Sequence, residues 1–394
     1  MKLPRIKVVA ITTLLLCSVA VGTAGPAIAA TDATDRTTAS QSQSVRTCGL
    51  ITDPGVYELE ANLTDPVNSP NACIEVAADD VALHGNGHSI TMTGNSSELG
   101  SQSAYAVRAE DASNVTVTNL SADDWSFRAD AGDVDDARFA GLLFENVTDA
   151  TASDISATNS WDGVVVRDSE EVRVREVRLL GDGVSLSNGT VSPLYQQSGS
   201  GVHLANVENV SVSDGHLRRW NVGVTVAESA GVHLTNLSVG ETDGGDYPQT
   251  RTGIDVVATE NATIHDSAIG GTKSAGIKLA RSTGGVVVAD NRLAHHERAA
   301  IHVSVFGTPS GENVVRDNEV TENGHGIRVW STTTGLRVEE NRLIDNRVGV
   351  GVEEPSVCAD GPEGGELVVV RENVVASNTV GIRNEDTDAV DATG

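Results

Sequence analysis

Four residues at nearly regular spacing, Asp255, Lys278, His302 and Arg328, bring together the groups that elimination chemistry on an acidic sugar requires. A cation must neutralise the uronate carboxylate, and a base must then remove the adjacent ring proton. Arg328 and Lys278 are read as sharing those tasks, with Asp255 setting the charge of Lys278 and His302 assisting. Lys278 is one of four lysines in the chain, and two of the others are Lys2 and Lys7. Trp330, two residues beyond Arg328, offers a ring for stacking on a sugar, and His203 is a second candidate substrate contact. The competing account is that these positions are simply outward-facing, with opposite charges paired along a strand ladder.

These residues share a local phrase: glycine, branched apolar, variable, branched apolar. It occurs as Gly163-Val164-Val165-Val166, Gly201-Val202-His203-Leu204, Gly223-Val224-Thr225-Val226, Gly253-Ile254-Asp255-Val256 and Gly276-Ile277-Lys278-Leu279. Ala300-Ile301-His302-Val303, Gly326-Ile327-Arg328-Val329, Gly349-Val350-Gly351-Val352 and Gly381-Ile382-Arg383 continue it. About ten residues after each phrase comes a second apolar step, such as Val210-Ser211-Val212 or Leu336-Arg337-Val338. Alternation over three or four residues marks a short strand with one face inward. Glycine and β-branched residues also disfavour helix. Two or three short strands per turn of about 22 residues is the pattern of a parallel β-helix, whose turns stack at ~4.8 Å. In that architecture the variable residue of each phrase points outward, and the column runs Val165, His203, Thr225, Asp255, Lys278, His302, Arg328, Gly351, Arg383.

A polar ladder accompanies the last coils at Asp290-Asn291, Asp317-Asn318, Glu340-Asn341 and Glu372-Asn373. Stacked asparagines can pass amide hydrogen bonds along the axis, so their expected role is structural.

The chain divides into four parts. Residues 1–30 read as a secretory signal, with a basic head at Lys2, Arg5 and Lys7, an apolar stretch Val8 to Val21, and Ala27-Ile28-Ala29 before the cleavage point. The apolar stretch is short of the ~20 residues a membrane span needs. Residues 31–47 read as a flexible leader, 48–384 as the β-helix, and 385–394 as an acidic tail.

Lys plus Arg number 27 against 55 Asp plus Glu, a formal charge of −28. That excludes nucleic acid as a partner, because phosphate binding needs a basic face. A carboxylate-rich, lysine-poor composition is that of secreted proteins from halophiles, where salt screens repulsion. In an exported chain, Cys48 and Cys73, 25 residues apart, are expected to form a disulfide, with Cys358 left free.

The repeats resemble those of the right-handed parallel β-helices of the pectate-lyase-like superfamily. The opening, Gly55-Val56-Tyr57-Glu58-Leu59, Cys73-Ile74-Glu75-Val76 and Val81-Ala82-Leu83-His84-Gly85-Asn86-Gly87-His88, is similar to the first coils of the NosD and carbohydrate-binding (CASH-type) group. The resemblance spans residues 48–384 and implies an all-β, single-stranded right-handed solenoid of about ten or more coils. It also implies a carbohydrate-related role, since polysaccharide lyases of this fold use Lys and Arg on neighbouring coils. The fold hosts many activities, so fold and function are separate conclusions.

Other chemistries are less well supported. Gly324-His325-Gly326 with Arg328 resembles a polygalacturonase motif, but no Asp pair lies one coil upstream and the Lys precedes instead of following. Copper, implied by the NosD likeness, would want Met, Cys or clustered His. The mature chain has Met92 alone, and His295-His296 has no soft ligand nearby. No cofactor is required. Calcium is the metal left open, on Asp123, Asp124, Asp130, Asp133, Asp135 and Asp136 in the insert 121–139, although their spacing matches no known calcium loop and a solvated acidic face accounts for them as well. Asn-x-Ser/Thr sequons are present, several inside the repeated β step.

The expectation is a secreted, extracellular or surface-associated monomer without a membrane span in the mature chain. It binds an extracellular polysaccharide along its side and, if an enzyme, acts as a lyase before a hydrolase. The alternative is a non-catalytic envelope scaffold or NosD-like accessory protein. Inserts at 121–139, 181–200, 239–252 and 353–366 interrupt the period and are expected to wall the binding face.

Overall fold

The computed structural model describes residues 42–65, 71–93, 103–125, 139–181, 199–240, 250–305, 310–330, 333, 335–353, 368–384 and 390–393. The signal, most of each insert including the acidic 126–138 stretch, and Cys358 lie outside these residues. Among the described residues every strand pairing is parallel, and there is no helix.

The glycine-led phrases form one thirteen-stranded sheet that runs from Gly49–Ile51 to Val380–Asn384, each strand pairing with the next coil's. The other 24 described strands form two further ladders, joined where the long strands Val115–Asp123 and Thr151–Thr158 serve both. Each coil therefore contributes one strand to each of three faces, as in a right-handed parallel β-helix.

Parallel strands without register slip place like residues on like residues. Ile254, Ile277, Ile301, Ile327 and Val350 stack directly, as do Val256, Leu279, Val303, Val329 and Val352, and all ten are fully buried. Burying a branched side chain contributes ~1.5–3 kcal/mol, repeated along every column. Glycine opens each phrase because the chain packs closely there. A Cβ on Gly253 would meet the Gly276 carbonyl oxygen at 2.4 Å.

The Asp-Asn and Glu-Asn pairs divide the work of a turn. The first member, as at Asp290, Asp317, Glu340 and Glu372, takes a left-handed backbone conformation (φ near 55°). The second turns inward: Asn318 Oδ1 accepts from the Asn291 backbone and side-chain amides, both at 3.0 Å, and Asn341 and Asn373 repeat the step. A parallel ladder runs through Asn323, Asn346 and Asn378.

Both ends of the β-structure exceed the sequence-based limits. Gln43–Val45, inside the stretch expected to be a flexible leader, pairs with Gly55–Leu59. Val390–Thr393, inside the expected acidic tail, pairs with Val368–Arg371. In both cases a coil left open at its edge offers backbone groups that the flanking chain satisfies. Near the amino-terminal end, Cys48 and Cys73 are disulfide-bonded, with Cα atoms 4.5 Å apart.

Candidate functional site

The outward column has the order expected from the phrases. Asp255 pairs in register with Lys278, Lys278 with His302, His302 with Arg328, and Arg328 with Gly351. Neighbours on this column are one rung, ~4.8 Å, apart. Its upper part differs in character. Val165 is fully buried and belongs to a small apolar cluster with Ala72, Tyr105, Ala140 and Leu143 on the outer side of the sheet. His203 sits on the column two rungs above Asp255, separated from it by Thr225, and does not line the cleft described next.

Asp255, Lys278, His302, Arg328 and Trp330 converge on one open cleft of about 560 Å3, which Asn221, Arg251, Ser274 and Arg298 complete along the leading edge of the strands. Among the described residues its lining holds four cations, Arg251, Lys278, Arg298 and Arg328, against one carboxylate, Asp255. In a chain with a net charge of −28, that local reversal of sign is a distinct feature. A larger groove of about 720 Å3 on a turn of the solenoid has the opposite character, being lined by Asp168, Glu170, Glu208, Glu228 and Glu260 and by no cation among the described residues.

The cations of the column are held by carboxylates. Lys278 Nζ donates to both oxygens of Asp255, at 3.1 and 3.3 Å. Arg328 donates through Nε and Nη2 to Oε2 of Glu353, each at 2.9 Å. Glu353 also accepts from His325 Nε2 at 2.8 Å. The imidazole of His325 fits there because residue 351 is glycine; a Cβ at that position would lie 3.1 Å from its Cδ2. Burial pushes the Glu353 carboxyl up, but Arg328 and the bond from His325 more than offset this and hold it below the usual range. Burial pushes His325 down, and its carboxylate partner offsets only part of that. The pair is thus a neutral imidazole donating to an ionised carboxylate.

His302 stands apart from this paired arrangement. Its Nε2 is buried and has no hydrogen-bond partner among the described residues. Burial first, and then the Arg328 and Lys278 charges, push its pKa down to about 4, so the ring is neutral at physiological pH. Trp330 meets it edge-on, with centroids 5.4 Å apart and planes inclined by 70°. A second orphan acceptor, Oδ1 of Asn221, lies at the far end of the same cleft. A neutral base flanked by cations can take a proton from a ligand whose negative charge those cations hold.

Sequence reasoning found the column but missed Glu353, His325, Arg251 and Arg298 as members of the site. His325 was visible only as part of a rejected hydrolase motif, and Glu353 as one of many paired carboxylates. The arginines carried a usable signal, since each lies four residues before a column position.

A model of the family described as periplasmic copper-binding protein (NosD) matches residues 180–360, a little under half of the chain. No curated protein matches over its sequence. Among solved structures, the chain is similar to the Dettilon tailspike protein (TM-score 0.62, 15% identity, covering 80% of this chain and 61% of that one). It is also similar to the periplasmic alginate epimerase AlgG (0.61, 15%, 87% and 83%) and to the A-module of the mannuronan C-5 epimerase AlgE4 of Azotobacter vinelandii (0.51, 12%, 86% and 91%). The chain thus spans about three fifths of the tailspike's length, and identities this low establish the fold alone.

The described donors do not fit the soft copper site that the family's description implies. Met92 is buried in the core, and the sulfurs of Cys48 and Cys73 are bonded to each other. His295 pairs with Glu322 at 3.2 Å, whereas His296 is buried, with Nδ1 against Thr272 at 2.7 Å and Nε2 against the Ile269 carbonyl at 3.2 Å. A disulfide is a feature of extracytoplasmic compartments. The chain is a right-handed parallel β-helix protein whose fold is shared by a tailspike protein and an alginate epimerase and whose residues 180–360 are similar to the NosD family.

Proposed function

We propose that this protein binds an extracellular acidic polysaccharide along the face that carries Asp255, Lys278, His302, Arg328 and Trp330, and cleaves it by β-elimination. The observation that carries the reading is the cleft itself: four cations around a neutral imidazole whose Nε2 has no hydrogen-bond partner among the described residues, in a chain that is otherwise strongly acidic. Arg328 and Arg298 hold the uronate carboxylate, and His302 takes the ring proton beside it. The electron pair forms a carbon–carbon double bond as the bond to the glycosidic oxygen breaks, and that oxygen leaves with a proton from the Lys278 ammonium. Trp330 supplies a stacking surface for a neighbouring sugar. His302, which the sequence suggested only as an assistant, becomes the base, because Lys278 and Arg328 are both engaged by carboxylates.

An acidic surface is consistent with work in concentrated salt, where repulsion between the chain and a polyanion reaches only ~3 Å at 1 M. The likeness to an alginate epimerase supports an acidic glycan, and epimerisation would begin with the same proton abstraction. Incubation of the purified protein with uronate polymers in high salt tests the reading. The expected result is an unsaturated, ultraviolet-absorbing product that disappears in His302→Ala while binding persists. Binding without product in the wild type would identify a non-catalytic envelope protein instead. No binding to any acidic polymer would refute both.

A further inference from the structure

The cations of this face follow a rule that the cleft alone does not show. In each coil, the residue four positions before the column occupies an equivalent place at the strand's leading edge. Backbone bonds link these positions in sequence: Ser274 N to Arg251 O at 2.8 Å, Ala299 N to Ser274 O at 3.1 Å, His325 N to Arg298 O at 2.7 Å, Val348 N to Gly324 O at 3.1 Å and Val380 N to Arg347 O at 3.0 Å. Two parallel lines therefore run along the axis, one at the edge and one at the centre of the strands. Over six successive coils the cations are Arg251 at the edge, Lys278 at the centre, Arg298 at the edge, Arg328 at the centre, Arg347 at the edge and Arg383 at the centre. Each coil contributes one cation, and the side alternates every time.

We propose that this zigzag reads a polysaccharide with a carboxylate on every sugar and two-fold symmetry, lying parallel to the solenoid axis with one sugar per coil. The proposal rests on the acidic-polysaccharide reading above and specifies its substrate class. In an extended two-fold chain of 1,4-linked uronates, each ring is turned over relative to the last. Its carboxylates then project alternately to the two sides and advance by roughly one rung per ring. Successive rungs are ~4.8 Å apart, so cations on one line recur at ~10 Å, and the two lines are four residues, ~13 Å, apart along the strand. Long arginine side chains on the exposed edge close that width toward the chain between them. The edge arginines are also the more available ones. Arg251 and Arg298 are exposed and have no carboxylate partner among the described residues, whereas Lys278 and Arg328 are half-buried and paired. A polymer with a uronate on every second sugar would satisfy only one line. A three-fold chain would fall out of register within a few rungs.

Calorimetric binding of size-defined oligosaccharides to the full chain tests this. With two-fold, fully charged β-1,4-mannuronate oligomers, affinity should climb with each added sugar up to about six and then level. An alternating uronate–N-acetylhexosamine oligomer of equal length should bind at least about tenfold more weakly, a difference of ~1.4 kcal/mol. Arg298→Gln should weaken mannuronate binding about fivefold to tenfold, and Arg298→Lys should restore part of it. Arg292→Gln, exposed on another face, should change nothing. Equal affinity for the alternating polymer, or an Arg298→Gln variant that is natively folded by circular dichroism and binds normally, would overturn the zigzag while leaving the cleft as a polysaccharide site. Failure of the wild type to bind any uronate polymer would overturn the underlying reading instead.

Discussion

His325 and Glu353, from adjacent coils, are joined by a 2.8 Å hydrogen bond from Nε2 to Oε1, and the other oxygen of the same carboxylate holds Arg328. One carboxylate thereby sets both the direction of a guanidinium in the cleft and the tautomer of a buried ring. Replacing Glu353 with Gln leaves Arg328 without its counter-charge and is expected to lower stability by ~1–3 kcal/mol in urea denaturation. An unchanged midpoint and slope would show that Arg328 finds another partner at no cost.

The pH dependence of folding has a defined sign. His302 and His296 titrate at about 4 and about 3 in the folded chain, against 6.5 ordinarily, in both cases chiefly through burial. Between these values the unfolded chain holds more protons than the folded one, so stability rises with pH across that window. The contribution is complete above about pH 6.5 and is progressively lost as the pH falls toward the folded values. Denaturation at pH about 7 and about 5 should show a lower midpoint at the acidic value, and the drop should be smaller in His302→Gln. An elimination activity should likewise retain its base down to about pH 4, which a pH–rate profile would reveal as an acid limb displaced from 6.5.

The asparagine ladder is expected to be intolerant of truncation. Asn318 accepts two bonds from Asn291 and donates to the Val288 and Arg316 carbonyls and to Asn341, all between 2.8 and 3.0 Å. Asn318→Ala removes all of these from a fully enclosed position. A loss of ~2–4 kcal/mol is expected from the stranded donors and acceptors, read as a fall in the thermal midpoint. A drop no larger than that of an exposed polar-to-alanine change would argue that water refills the gap.

Reducing or deleting the Cys48–Cys73 disulfide should destabilise the first coils. Its 25-residue separation corresponds to ~3–4 kcal/mol on the loop-entropy estimate. Hydrogen exchange in a Cys48→Ser/Cys73→Ser variant should accelerate in Gly49–Leu59 and leave the coils around Lys278 protected. In a solenoid each coil contacts only its neighbours, so distant rungs should not respond. Uniform acceleration would show that the whole stack unfolds as one unit.

What the sequence determined by itself is the stacking. A glycine-led phrase of alternating branched residues has one buried face and a period of one coil, and parallel pairing then forces Asp255, Lys278, His302 and Arg328 onto one outward line. The cysteine pairing was equally legible, because 25 residues return the chain to the neighbouring rung. What only the tertiary structure decided is how the charges are apportioned. Glu353 reaches Arg328 and His325 across coils because the glycine at 351 leaves room for an imidazole, a fact of space that residue spacing does not record. His302 keeps its buried Nε2 without a hydrogen-bond partner among the described residues, which is likewise a matter of space and not of spacing. The alternation of Arg251, Arg298 and Arg347 with the column depends on which turn residue falls at each strand's leading edge. The constant offset of four residues records that register in the linear order, and backbone pairing between rungs turns it into a line along the axis.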